Sequence, residues 1–179
     1  MRIFAIDPGN KVSTAVLFDQ GAVRDCWKDA NNETMREAIK THACHCDVVL
    51  VEDIESFGME VGVSVFRTAQ WAGRFEELTL SLGAEMQYVK RSDVKLTLCR
   101  NRTAKDKNIR AALIEMFGGD KETAVGKKAS PGPLYSISNH AWSALALAVT
   151  WEEMEKDRKP ADEDRRKIEE ARKGTPFGG

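Results

Sequence analysis

The sequence has no apolar run approaching the roughly 18 residues that a bilayer-spanning helix needs, so a transmembrane segment is not expected. Its first residues, MRIFAIDPGN, carry one Arg and then a short strand-like run. They offer neither the long apolar stretch nor the small-residue cleavage site of a signal peptide, and the expectation is a cytoplasmic protein with no membrane association. Cysteine is scarce: Cys26, Cys44, Cys46 and Cys99 are the four in 179 residues, and in such a setting reduced thiols are expected rather than a disulfide framework. An excess of charge of one sign is also missing. The 27 Lys and Arg balance 28 Asp and Glu to a net of -1, which by itself points to neither a nucleic-acid partner nor an acidic one. Internal repeats are absent.

What is present suits one folded domain with an appendage: 42% hydrophobic and 31% charged residues. Residues 2–6 read as a strand, followed by the turn Asp7-Pro8-Gly9-Asn10. Strands at 12–18 and 22–27 complete an antiparallel meander. A helix is expected over 32–43 and then a continuous apolar strand, DVVLV, at 47–51, of the kind buried on both faces. Val65, Ala69, Ala72, Phe75, Leu78 and Leu82 mark one face of a long helix. A strand at 86–89, a helix over 103–117, a loop over 120–137 and a helix over 139–154 follow, the last with Ser138 or Asn139 as N-cap. From 152 to 173 nine acidic and eight basic side chains crowd out apolar ones, which predicts a solvated helix or a disordered tail. The order describes an α/β domain with a mixed sheet.

Two groupings hold ligand-type residues. HACHC gathers His42, Cys44, His45 and Cys46, but no second cluster follows at zinc-site spacing, and a helix end running into a strand is the favoured reading. The other grouping is dispersed. Asp7 ends the first strand, Glu52-Asp53 end the apolar strand, and His140 with Ser143 lie one turn apart on one face of the last helix. If the first and fourth strands are neighbours, Asp7 and Glu52 project toward one point. Two carboxylates there repel unless a cation sits between them, and oxygen donors suit Mg2+ or Mn2+. The positive end of the last helix would favour a neutral, metal-binding His140. Spacing alone equally allows each residue to be a cap or an ion-pair partner.

AIDPGN on the first strand, VVLVED ending the fourth and HAWSALALAVTW on the last helix resemble the RuvC family of Holliday-junction resolvases, within the RNase H-like nuclease superfamily. The resemblance covers residues 1–151, and GKKASPGPLYSISNHAWSALALAV is especially similar to RuvC-like proteins of phages and prophages. It implies an RNase H-like mixed five-stranded sheet with helices on both faces over 1–154, and a charged tail over 155–179. It implies a divalent-metal-dependent endonuclease that cuts branched DNA as a homodimer, with Mg2+ or Mn2+ as two ions, and with the helix over 60–82 as the dimer element. Asp7, Glu52 and His140 match the family's metal-binding positions, and Lys107 is the better match, beside Lys105, to its functional lysine. Ser143 departs from the family pattern, which has Asp there. Asp53 or Glu55 would be the residue to compensate. Phe57, in ESFGMEVGV, is the candidate to stack on an unpaired base, as an aromatic does in the family.

Residues 90–110 hold eight Lys or Arg against two Asp. Lys90, Arg91, Lys95, Arg100, Arg102, Lys105 and Lys107 are therefore candidate DNA contacts, although a charge run also suits a merely solvated face. The competing functional reading is a branched-DNA-binding module that has lost cleavage, with Ser143 its best support. An actin-like ATPase, suggested by the same D-x-G turn, is set aside because those folds need two such domains.

Overall fold

The computed structural model describes residues 1–55, 58 and 60–173, with side chains described as far as Arg158. Three strands, β1 (Arg2–Asp7), β2 (Val12–Asp19) and β3 (Ala22–Asn31), form the antiparallel meander. Helix α1 (Asn32–His42) begins at Asn31, whose side chain accepts from the Thr34 N–H, and a single 3-10 turn leads into β4 (Val48–Glu52). Helix α2 (Val63–Ser81) and β5 (Met86–Val89) come next. The remaining helices are α3 (Arg91–Cys99), α4 (Asp106–Gly118), α5 (Lys121–Ala124) and α6 (Ala141–Lys173), with the two-residue strands β6 (Gly126–Lys127) and β7 (Ser130–Pro131) between the last two. The main sheet has the order β3-β2-β1-β4-β5, with β4 parallel to both β1 and β5. This is the expected RNase H-like sheet. No helix of the described residues is long and apolar enough to cross a membrane.

Strand alternation divides the core in two. Ile3, Ala5, Val16, Phe18, Val48 and Leu50 face one layer, in which α6 packs with α3 and α4. Phe4, Ile6, Ala15, Leu17, Val49 and Val51 face the other, which α1 and α2 cover. Burying both faces explains why β1 and β4 read as continuous apolar runs rather than alternating ones. Each of their fully buried large side chains contributes about 2 kcal/mol by transfer from water. The residues one step beyond those runs, Asp7 and Glu52, inherit the parity of Ala5 and Leu50, and therefore the α6 face.

Three departures from the sequence expectations have physical causes, and the charge-dense segment takes the helical one of its two expected forms. Helix α3 has no counterpart in the sequence reading, because nine residues of mixed charge carry little periodicity; it stops at Arg100, which takes the left-handed conformation (φ 53°). Helix α6 starts at Ala141, so His140 directly precedes it instead of lying in its first turn, and its carbonyl accepts the N–H groups of Ser143 and Ala144. Helix α6 then runs on past Met154 to Lys173, with Lys156 paired to Glu152 and Glu153, and Arg158 to Glu155. The apolar stripe of α2 is buried only from Ala72 onward, which leaves Val63 and Phe66 exposed in its first turns.

Candidate active site

A buried polar network fixes the turn that follows Asp7. The Gly9 N–H donates to Ser13 Oγ (3.1 Å), Ser13 Oγ donates to Asn32 Oδ1 (2.7 Å), and Asn32 Nδ2 returns to the Gly9 carbonyl (2.9 Å). A Cβ on Gly9 would stand 2.1 Å from the Val12 carbonyl oxygen, so only glycine closes this turn. Asp7 is thus held at a strand end that cannot drift. In the parallel pairing of β1 and β4, Ile6 faces Val51, and the next residues along are Asp7 and Glu52.

Both carboxylates are largely buried, 16% and 17% exposed, and neither accepts a backbone N–H among the described residues. Burial raises Asp7 above the ordinary carboxylate range, against the opposing pull of His140, Arg91 and a hydrogen bond from Ser143. Burial also lifts Glu52, to about 7, with Arg91 acting against the rise and Asp7 and Asp106 adding to it. Two neighbouring groups whose ionisation is opposed in this way lack a full counter-charge.

Around this pair stand three helices. His140 Nδ1 lies 3.4 Å from Asp7 Oδ2, its own ring mostly exposed. Arg91, from the first turn of α3, reaches Glu52 Oε1 with Nε at 3.8 Å and Asp106 Oδ1 with Nη2 at 2.5 Å. A cleft of about 710 Å3 is lined by Arg91, Asp106, Lys107, Arg110, His140 and Ser143. A smaller one of about 270 Å3 lies on the other side of His140, against Asp7, Asn10, Asp29 and Ser64.

The sequence candidates therefore fall into three groups. Asp7, Glu52, His140 and Ser143 are brought together, and Lys107 lines the same cleft as His140. Asp53 is not brought to the pair. Its amide donates to the Val89 carbonyl, continuing the β4–β5 ladder, and its charge acts on Tyr88 and Lys90, because alternation along β4 gives it the parity of Val51 and not of Glu52. Arg91 is turned into the carboxylates rather than out to a partner, and Lys90 is paired with Glu55 (3.0 Å). Arg100, Arg102 and Lys105 are exposed on the connection between α3 and α4, and Lys95 is half-buried on α3, near enough to lower Glu52. Phe57 lies outside the described residues.

Sequence reasoning missed Asp106 and Asp29. Asp106 is hidden in a basic run, where nothing in the order of residues tells which charges will pair. Asp29 faces both clefts because β3 is irregular there: its φ is 44°, the β2–β3 register slips, and its N–H donates to Thr14 Oγ1 (3.1 Å). HACHC is the end of α1 and the 3-10 turn before β4. His42 packs against the rings of Phe4 and Trp27, and Cys44 lies against the Leu82 carbonyl.

No family model and no curated protein matches the chain. Solved structures do. The RuvC structure of Thermus thermophilus is similar over 87% of this chain and 96% of its own, with a TM-score of 0.58 and 16% identity. RuvC of the same organism in complex with a Holliday junction substrate gives 0.60 and 17%, over 86% of this chain and 96% of its own. A Fowlpox virus resolvase complexed with Holliday junction DNA gives 0.49 and 16%, over 86% and 98%. The likeness to RuvC is one of fold, and it agrees with the strand order and helix placement described above.

Proposed function

We propose that this protein is a divalent-metal-dependent endonuclease that cuts phosphodiester bonds in branched DNA, with four-way junctions as its substrate. One observation carries the reading: Asp7 and Glu52 stand side by side at the ends of two buried strands, short of counter-charge, with His140 against them. The RuvC-like fold, which in a solved complex holds a Holliday junction, supports the choice of substrate.

The donors suit the cation. Two carboxylates, an imidazole and a hydroxyl are hard or borderline ligands, acceptable to Mg2+ and better matched to Mn2+. Among the described residues no three acidic, His or Cys side chains already form a metal cage. Divalent ions at such a site polarise a phosphate and activate a water for in-line attack. Asp7, Glu52 and His140 would hold the ions, His140 Nδ1 already lying 3.4 Å from Asp7 Oδ2. Lys107, exposed in the first turn of α4 and on the cleft wall, would offset charge on the phosphate. Lys95, Arg100, Arg102 and Lys105 would supply sequence-independent affinity that weakens with salt. Homodimer formation through the exposed Val63 and Phe66 of α2 would place two sites on two strands.

A non-cleaving branched-DNA module is the second reading, favoured by one residue: Ser143 offers a neutral hydroxyl where a carboxylate would balance a second ion. Labelled four-way, flap and linear DNA, incubated with Mg2+, Mn2+ or EDTA, separates the two. Metal-dependent cutting of the branched forms is expected. Binding of the junction with no cutting under any metal would favour the module.

A further inference from the structure

Arg91 has no part in that scheme, yet it sits at its centre. Its side chain is 17% exposed, and one guanidinium serves carboxylates from two other elements, Glu52 at the end of β4 and Asp106 at the start of α4. The two contacts differ in kind. The one to Asp106, at 2.5 Å, is a charge-assisted hydrogen bond; the one to Glu52, at 3.8 Å, is an ion contact too long to be one. The third nitrogen, Nη1, is buried and has no hydrogen-bond partner among the described residues. A purely structural bridge of this burial is expected to use all its donors, because an unpaired buried N–H is costly. Arg91 is anchored on Asp106 and leans toward Glu52 without closing on it.

We propose that Arg91 is the internal counter-cation of the metal-free site, competing with the divalent ion for Glu52, and that Asp106 is the positioning residue that draws the guanidinium off Glu52 when the ion enters. This rests on the metal-site reading above. A cation within a few ångströms of Glu52 lessens the field that attracts a second one, so the pair Arg91–Asp106 sets how tightly the site holds metal. Asp106 is 82% exposed, so it can keep the guanidinium on the solvent side of the cleft.

The test is Mn2+ binding to the full chain, followed by electron paramagnetic resonance of free Mn2+ and by calorimetry, together with the melting temperature in EDTA. Arg91→Met removes the competitor, so Mn2+ should bind about tenfold tighter, while the metal-free protein melts lower because Glu52 loses its partner. Asp106→Asn lets Arg91 settle on Glu52, so Mn2+ should bind several-fold more weakly. In the Arg91→Met background the Asp106→Asn change should have no effect, because Asp106 acts through Arg91. Unchanged or weaker Mn2+ binding by Arg91→Met would overturn the proposal, and so would an Asp106→Asn loss of equal size in both backgrounds, which would make Asp106 a ligand. If Arg91→Met does not fold, Asp106→Asn alone decides, since Asp106 is exposed: unchanged affinity overturns the proposal. Failure of the wild-type chain to take up Mn2+ would instead remove the metal-site reading itself.

Discussion

Strands β1 and β4 run side by side and carry acidic and ligand-type residues at both ends, but the two ends differ in how far those residues are already satisfied. At the starting end Asp47 accepts the backbone N–H of Arg2 at 2.6 Å, and His42 of the HACHC segment lies against two aromatic rings. At the far end Asp7 and Glu52 are buried and raised, with no backbone donor among the described residues. The starting end is richer in residues that bind metals; the far end has the unbalanced charge. A site is defined less by which donors are nearby than by which of them the fold has left unsatisfied.

The largest effect separating the two ends is expected in stability against pH. Glu52 is held at about 7 against an ordinary 4.5, so the folded state disfavours its charged form. The associated stability is whole below pH 4.5 and is lost as the pH climbs through 7, a loss on the order of 3 kcal/mol if the whole shift is realised. Asp7, also raised, acts in the same direction. In EDTA, urea unfolding of the wild type and of Glu52→Gln should diverge with rising pH, the variant becoming relatively more stable. A difference that stays constant from about pH 5 to 8 would mean Glu52 is already satisfied, as Asp47 is at the other end.

A smaller effect concerns Ser143. Ser143 offers Asp7 a neutral hydroxyl, which cannot neutralise a second ion, so the wild type should cut faster in Mn2+ than in Mg2+. Ser143→Asp should lower the Mg2+ concentration for half-maximal cutting several-fold, and should lower the metal-free melting temperature by setting a third carboxylate beside Asp7. Nicking rates across a metal titration check the first and thermal unfolding in EDTA the second. An unchanged Mg2+ requirement would show that Asp29, Asp106 or water already fills the gap.

The smallest effect is expected at the starting end. Replacing Cys44, His45 and Cys46 together by Ser, Ala and Ser should leave Mn2+ affinity and cutting within about twofold of the wild type, since neither the thiols nor the imidazole there carries an unbalanced charge. A large fall in either would mean that the contrast between the ends is drawn wrongly. Removing residues 159–179 should likewise leave the melting temperature nearly unchanged, because so charge-dense a segment buries little.

Much of the fold was legible because its strongest signals are local. The apolar runs of β1 and β4 and the turn chemistry of Asp7-Pro8-Gly9-Asn10 are visible in the residues themselves, and adjacency of the two strands then brings Asp7 to Glu52. The rest depends on pairings that order along the chain does not encode. Arg91 reads as one more cation in a basic run until α3 turns it onto Glu52, and Asp106 reads as a minor acidic interruption until it meets Arg91. Asp29 is aimed into the clefts by an irregularity in β3. Strand ends can be foreseen from hydrophobicity; the partners of a charge cannot.

The central claim is that Glu52, left unsatisfied by the fold, is there to hold metal for cutting. The direct measurement runs binding and cleavage of one labelled four-way junction in parallel, for the wild type and Glu52→Gln, with Mg2+ or Mn2+ in the cleavage arm and EDTA in the binding arm. Glu52→Gln should lose at least about 100-fold in cutting while binding the junction within a few-fold of wild type, because exposed lysines and arginines supply the affinity. Cutting retained by the variant would contradict the claim.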